Sequence, residues 1–366
     1  MSHVQKGNGQ DRLSGPLKVM VVADSRAFHI ERLIPEMRRQ GIAVRLASLE
    51  RGRILHYHLP RRGPVRQLHY RLAVARLGDL IERWRPDVLN AHFATGYGWL
   101  AALANRRRHI PLVLHLWGSD ILIVPNKTPA HRHKARVALA AADYVLADSH
   151  YLLNEAVQIH SPRDSSVIPW GVERRFLDLH RTDYKTRRPL KIIVPRPHEP
   201  VYNNSFVLDS LREFIVSGAV RLTIPSWGST LEQFRQLAAS LPEQAVVLYD
   251  RMDRPSCLEM MAGHDVYLSA ARSDSSPVSL IEAMALGLVP VVADIPGVRE
   301  WLTPGTGFTY RQDDPRSLRT LVQELLSSSD DFSGMRQSNL ARVKAEALFE
   351  DNVSRTIAIM REVSQR

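Results

Sequence analysis

The sequence predicts an α/β protein built from two doubly wound, Rossmann-like domains facing a cleft. Apolar runs of strand length alternate with amphipathic helical stretches, which argues for parallel sheets wrapped by helices. The alternation is interrupted at 178–189, a stretch rich in charge and poor in apolar residues, and then restarts. A length of 366 residues suits about two domains, and 44% hydrophobic with 24% charged residues is ordinary for a globular chain.

Taken in order, the polar start 1–16 reads as flexible, without an apolar signal core. LKVMVVA is a strand, FHIERLIPEMRRQ a helix closed by Gly41, and IAVRLASL a second strand. A basic stretch and the helix QLHYRLAVARLGDLIERW lead to the strand PDVLNAHF, the helix GYGWLAALANRR and the strand PLVLHLW. ARVALAAA (helix), YVLADS (strand), HYLLNEAVQI (helix) and SSVIPWGV (strand) complete a first domain over 17–180. A linker at 181–189 follows. The second domain, 190–337, runs through the strands LKIIVPR, VRLTIPS, VVLYDR, VYLSAA, VPVVAD and GTGFTY, with helices between them. A long amphipathic helix, Ser338 to Glu362, closes the chain within 338–366.

Composition narrows the chemistry. The single cysteine, Cys257, excludes an intrachain disulfide and a cysteine-rich metal site, and points to a reducing cytoplasm. Apolar runs are strand-sized, too short to span a membrane. Charge is lopsided: residues 1–188 hold 31 Lys and Arg against 16 Asp and Glu, whereas 189–366 hold 18 against 22. The first half is therefore expected to meet something anionic. Its densest stretch sets Arg51, Arg53, Arg61, Arg62, Arg66 and Arg71 among Leu and Tyr residues, a mixture that suits an anionic lipid surface as well as it suits a solvated loop. Nucleic acid is set aside, because no helix-turn-helix, RRM or zinc-finger pattern accompanies the charge. Motifs of dinucleotide oxidoreductases, P-loop enzymes, nucleophile-elbow hydrolases and zinc proteases are missing too.

The most informative segment is SDSSPVSLIEAMALGLVPVVADIPGVREW, from Ser273 to Trp301. Ser276 is a natural N-cap, Pro277 fits a first helical turn, and Gly287 ends the apolar-periodic run. Free amides near Val278 and Ser279, with the positive end of the helix dipole, would face an anion held beside Ser275 and Ser276. Asp274 and Glu282 flank that anion site as hydroxyl acceptors.

This segment resembles the donor signature of the retaining glycosyltransferases of family 4, which have the two-domain GT-B fold and carry two acids separated by seven residues before an EAM-x-x-G-x-P-V run. The resemblance implies that Asp274 contacts the donor sugar and Glu282 the ribose of the nucleotide. The family usually has Glu at the first position. Arg196, at the end of the second domain's first strand, stands where the family carries an Arg that neutralises the donor diphosphate. The Lys that often follows is replaced by EPVYNNS, so Tyr202 and Asn203 are assigned neutral hydrogen bonds to the donor.

In the first domain, HFATGYGWLAALANRRRHIPLVLHLWGSDIL is similar to a family region facing the donor sugar, with Gly118 and Asp120 matching and Trp117 standing where the usual His would be. Asp120 joins Asp274 and Arg196 as a catalytic candidate by this resemblance. Asp24, His29, His92, His115, Trp117 and Gly118 are the acceptor-side candidates, on loops beyond strand ends. The expected activity is transfer of a sugar from a nucleoside diphosphate sugar, with retention, to a lipid-linked or cell-envelope glycan, without metal or other cofactor, by a cytoplasmic protein peripheral to the membrane. Two other readings stay open: a decayed nucleotide-sugar-binding module, and a sugar-phosphate synthase or phosphorylase of the same fold.

Overall fold

The computed structural model describes residues 15–60, 66–182 and 188–366. Among the described residues, thirteen strands form two sheets. The first sheet comprises β1 (Lys18–Val22), β2 (Ala43–Ser48), β3 (Tyr57–His58), β4 (Val88–His92), β5 (Leu112–His115), β6 (Tyr144–Ala147) and β7 (Ser165–Val167), in the order β3-β2-β1-β4-β5-β6-β7. The second comprises β8 (Leu190–Ile193), β9 (Val220–Pro225), β10 (Val246–Tyr249), β11 (Val266–Ser269), β12 (Val289–Ala293) and β13 (Phe308–Tyr310), in the order β10-β9-β8-β11-β12-β13. Every pairing is parallel. Central strands such as β4, β11 and β12 are buried along their whole length, as strands covered by helices on both faces must be. Each sheet reverses its winding once, between β1 and β4 in one and between β8 and β11 in the other, and loops beyond the carboxyl ends at such switch points form ligand sites.

The α/β reading is borne out. Contacts divide the chain into one unit of Met1–Ala147, Leu153–Ile168 and Val353–Arg366, and a second of Asp148–Leu152 and Pro169–Asn352. The second unit thus begins ahead of the stretch read as a linker, whose residues 183–187 lie outside the described residues, as do 1–14 of the N-terminal stretch.

Several elements differ from expectation, beginning with the short strand β3, which lies inside the basic stretch. The closing helix is two helices, Ser333–Glu346 and Phe349–Ser364. Between them the chain bridges to residues 171–172: the Val172 amide donates to the Ala347 carbonyl at 2.9 Å, and the Phe349 amide to the Val172 carbonyl at 2.9 Å. Gly171, at φ 66°, permits the approach, since a Cβ there would lie 2.2 Å from the Ala347 oxygen. The helix Pro315–Ser327 is additional; Asp314 caps it by accepting from the Arg316 and Ser317 amides. Lastly, the signature helix runs Val278–Leu286 with Pro277, not Ser276, at the N-cap position. Its residues from Ser279 to Leu286 are all buried, and Gly287 ends it in the left-handed conformation as expected.

Candidate functional site

At the β8/β11 switch point two loops meet. Arg196 follows β8 and Asp274 follows β11, and the guanidinium donates to an Asp274 carboxylate oxygen; the side chains are 16% and 15% exposed. Burial opposes the charge on Arg196, yet the facing Asp274 carboxylate raises its pKa further above the ordinary range, so it stays a cation. Burial pushes the Asp274 carboxyl up from its usual value, with Arg196 pulling the other way. The Arg196 loop is tied down by Asn204, whose amide donates to the carbonyls of Arg196 at 3.0 Å and Pro197 at 3.1 Å. Glu199 is occupied elsewhere, accepting from the Ser229 amide and hydroxyl at 3.1 and 2.5 Å.

Arg196 Nε and Ser276 Oγ are buried without a hydrogen-bond partner among the described residues, as is Asn204 Oδ1. Beside them the signature helix begins. Its first ladder bonds run from the Leu280 and Ile281 amides to the Pro277 carbonyl, which leaves the Val278 and Ser279 amides ahead of the ladder. The Ser279 hydroxyl pairs with the buried Tyr267 hydroxyl at 2.8 Å, and Ser275 with Ser149. Gly297 fixes how closely the next helix approaches: a Cβ there would lie 2.0 Å from the Asp274 carbonyl oxygen. The arrangement offers an anion a guanidinium edge, a hydroxyl and helix amides.

Tyr202 lies under Arg196, with the guanidinium carbon 5.1 Å from its ring centre, so its π face supports the cation. Asn203 departs from the neutral-donor role assigned to it. Its backbone is left-handed, φ 52°, at the start of the helix Asn204–Val216, and that turn directs its side-chain amide to Asp313 at 2.7 Å. Glu282, 10% exposed at its side chain, accepts from Arg254. Arg254 in turn donates from Nε and Nη2 to Glu173 Oε2 at 2.9 and 2.7 Å. Arg254 and Glu173 are not marked by any motif in the sequence. The helix start around Asp253, which accepts from the Ser256 amide at 2.9 Å, is legible as an N-cap, but nothing in the spacing links position 254 to 282 or 173.

The β1/β4 switch point of the first unit gathers His29, His92, His115 and Trp117. The His92 and His115 rings stack at 5.2 Å, and Trp117 sits edge-on to His92 at 5.7 Å and to His29 at 5.4 Å. The indole N–H of Trp117 donates to His92 Nδ1 at 3.1 Å, so Nε2 carries the proton and donates to Asn90 Oδ1 at 2.8 Å. Burial, then the neighbouring His115, depress the His92 pKa well below its ordinary value. After β4 the chain makes a π-helical turn, Phe93–Gly98, opening on Phe93 at φ 72°.

Asp120 is fully buried and accepts from the Ala94 amide at 2.7 Å and the Trp117 amide at 2.9 Å, one bond to each carboxylate oxygen. That geometry ties two loops together rather than presenting a reactive carboxylate. Gly118, at φ 100°, makes the turn between Trp117 and Asp120. Asp24, on the loop after β1, pairs with Arg26 at 3.0 Å. Of the basic stretch, Arg51, Arg53 and Arg71 are exposed; Arg61 and Arg62 lie outside the described residues, as does the side chain of Arg66. Among the described residues no group of His, Cys, Asp and Glu is placed to hold a metal ion, and no helix is long and apolar enough to cross a membrane.

Comparison with known proteins agrees with this architecture. The family model for glycosyl transferase 4-like proteins matches residues 18–149, and that for glycosyl transferases group 1 matches residues 189–328. The putative teichuronic acid biosynthesis glycosyltransferase TuaC of Bacillus subtilis (strain 168) is 28% identical over 234 residues, covering 63% of this chain and 59% of TuaC's own length. The N-acetyl-alpha-D-glucosaminyl L-malate synthase of Bacillus anthracis is 24% identical over 273 residues, 71% of each chain. Anabaena HepE, solved in complex with UDP and glucose, shares the fold with a TM-score of 0.77 at 16% identity, over 94% of this chain and 100% of HepE. With one family model on each sheet and the signature helix between β11 and β12, the chain belongs to the family 4 glycosyltransferases of GT-B fold.

Proposed function

We propose that this glycosyltransferase moves a sugar from a nucleoside diphosphate sugar, with retention of anomeric configuration, to a hydroxyl of a lipid-linked or cell-envelope glycan, using no metal or other cofactor. The observation that supports this most is the unsatisfied pair, Arg196 Nε and Ser276 Oγ, beside the first amides of the signature helix. A buried polar group left unpaired costs about 1–3 kcal/mol, and diphosphate oxygens would offset it at both atoms. Arg196 then stabilises the charge that develops on the leaving diphosphate, an electrostatic contribution made by groups already in place. Diphosphate oxygens compete with Asp274 for the same guanidinium, so donor binding frees Asp274 to accept from a sugar hydroxyl. Glu282 takes the ribose hydroxyls. The acceptor hydroxyl attacks on the face the phosphate leaves, and the departing phosphate oxygen takes its proton.

The donor class accords with HepE, solved with UDP and glucose, and the acceptor class with TuaC, named for teichuronic acid biosynthesis. Arg51, Arg53 and Arg71 are exposed, as is Leu55 at 85%, a combination suited to an anionic leaflet, where each Arg contributes about 1 kcal/mol. The protein would then work from the cytoplasm as a peripheral protein. Incubation with a panel of nucleotide sugars and an envelope lipid fraction, followed by NMR of the product linkage, tests the reading. An α donor should give an α product. An inverted product would sink retention, and failure of every donor to yield product while free UDP still binds would sink the transfer reading.

A further inference from the structure

Glu282 is set by a buried network that the donor signature does not contain. Arg254 is 14% exposed, and the two carboxylates it bonds, Glu282 and Glu173, are 10% exposed each. Its guanidinium carbon lies 5.6 Å from the Phe176 ring centre. Arg254 is the first residue of its helix, where the positive end of the dipole disfavours a cation, so the two acids and not the helix account for its position.

The way the five N–H groups are shared matters. Nε and Nη2, the edge that would grip a carboxylate with two bonds, are spent on Glu173, and Nη1 alone reaches Glu282 Oε1. Among the described residues, the hydrogen bond and ion pair to the Glu282 carboxylate engage Oε1 and leave Oε2 aside. A carboxylate with one oxygen pinned and the other open is prepared to accept from neighbouring hydroxyls without first reorganising.

We infer that Arg254 is a positioning residue for donor selection: it holds Glu282 by one oxygen, with Glu173 preventing a two-bond grip, so that Oε2 reads the ribose hydroxyls of the nucleotide. The inference rests on the reading of Glu282 as the ribose acceptor. Its signature is discrimination between ribo- and 2′-deoxyribonucleotides, which a merely structural arginine would leave unchanged.

Calorimetry with UDP, GDP and ADP identifies the tightest of the three for the wild type, and its 2′-deoxy counterpart is the probe. The wild type should prefer the ribonucleotide about ten-fold or more. Arg254→Gln and Glu282→Gln should both bring that ratio towards one, with Arg254→Lys, which keeps the charge without the fork, falling between. A wild-type ratio in Arg254→Gln with a flattened ratio in Glu282→Gln overturns the inference and leaves the ribose reading intact. A wild-type ratio in Glu282→Gln, or no binding of any of the three nucleotides to the wild type, overturns the ribose reading and the inference with it. Should Arg254→Gln not fold, Glu173→Gln and Arg254→Lys replace it, and a wild-type ratio in both counts against the inference.

Discussion

The two switch points share a strand order and differ in chemistry. Between β8 and β11 the loops bring the buried charges of Arg196 and Asp274 together, and in the same unit Arg254, at the start of the helix after β10, pairs with Glu282 and Glu173. Between β1 and β4 they bring together His29, His92, His115 and Trp117, with both oxygens of Asp120 holding main-chain amides. The half of the sequence with the surplus of positive charge thus carries the aromatic, imidazole-lined site, while the half with 18 basic against 22 acidic residues carries the buried cations. Net charge reports what a surface attracts, whereas a site depends on which few charges are desolvated and paired.

Removing the cation tests that contrast most severely. Arg196→Ala leaves the Asp274 carboxylate buried without its partner, at a place proposed to receive a diphosphate. Loss of a buried charge partner costs about 3–5 kcal/mol, and here the orphaned carboxylate also repels the donor. Transfer should fall by about a hundred- to a thousand-fold, read as kcat/KM for the donor. A decrease of less than about ten-fold would remove Arg196 from the diphosphate site and erase the distinction between the two switch points.

The contrast was unequally legible in the sequence. Strand and helix alternation gave both sheets because parallel strands need a crossover each time, and the signature helix was marked at its end by Gly287. Arg196 and Asp274 could be named because both stand at positions of the donor signature that the second half of the chain resembles. Arg254 could not, because its partners at 173 and 282 lie 81 and 28 residues away and meet only through tertiary packing. Ser276 reads as the cap because Ser before Pro is a common helix start, but the helix begins a residue later and the Ser276 hydroxyl is buried without a partner among the described residues. Asn203 and Asp120 looked like ligand-facing groups by motif; a left-handed turn and two backbone amides claim them.

A smaller effect is expected at the aromatic site. Trp117→Ala removes the indole edge against His29 and the N–H that holds His92 Nδ1. Aromatic contacts of this kind contribute about 0.5–1.5 kcal/mol beyond their area, so acceptor KM should rise about ten-fold while the affinity for UDP stays within about two-fold of wild type. Equal losses on both substrates would mean that Trp117 shapes the fold and not the acceptor side.

The mildest test uses pH and needs no substrate. His92 accepts at Nδ1 from an indole that can only donate, so protonating that nitrogen would set two hydrogens against each other. Burial first, and then the neighbouring His115, hold the folded pKa well below the ordinary value of 6.5. Above about pH 6.5 both folded and unfolded chains hold this ring neutral, and it adds no pH dependence. As pH falls below that point the unfolded chain takes up a proton that the folded chain refuses, so stability declines. Below about pH 6.5 the decline attributable to His92 is at most about 1.36 kcal/mol per pH unit. Denaturant unfolding of wild type and His92→Gln across that window should show a shallower slope in the variant, even if its stability is lower throughout. Parallel slopes would mean that the folded ring accepts the proton after all, and the first switch point would then gain a cation of its own as pH falls.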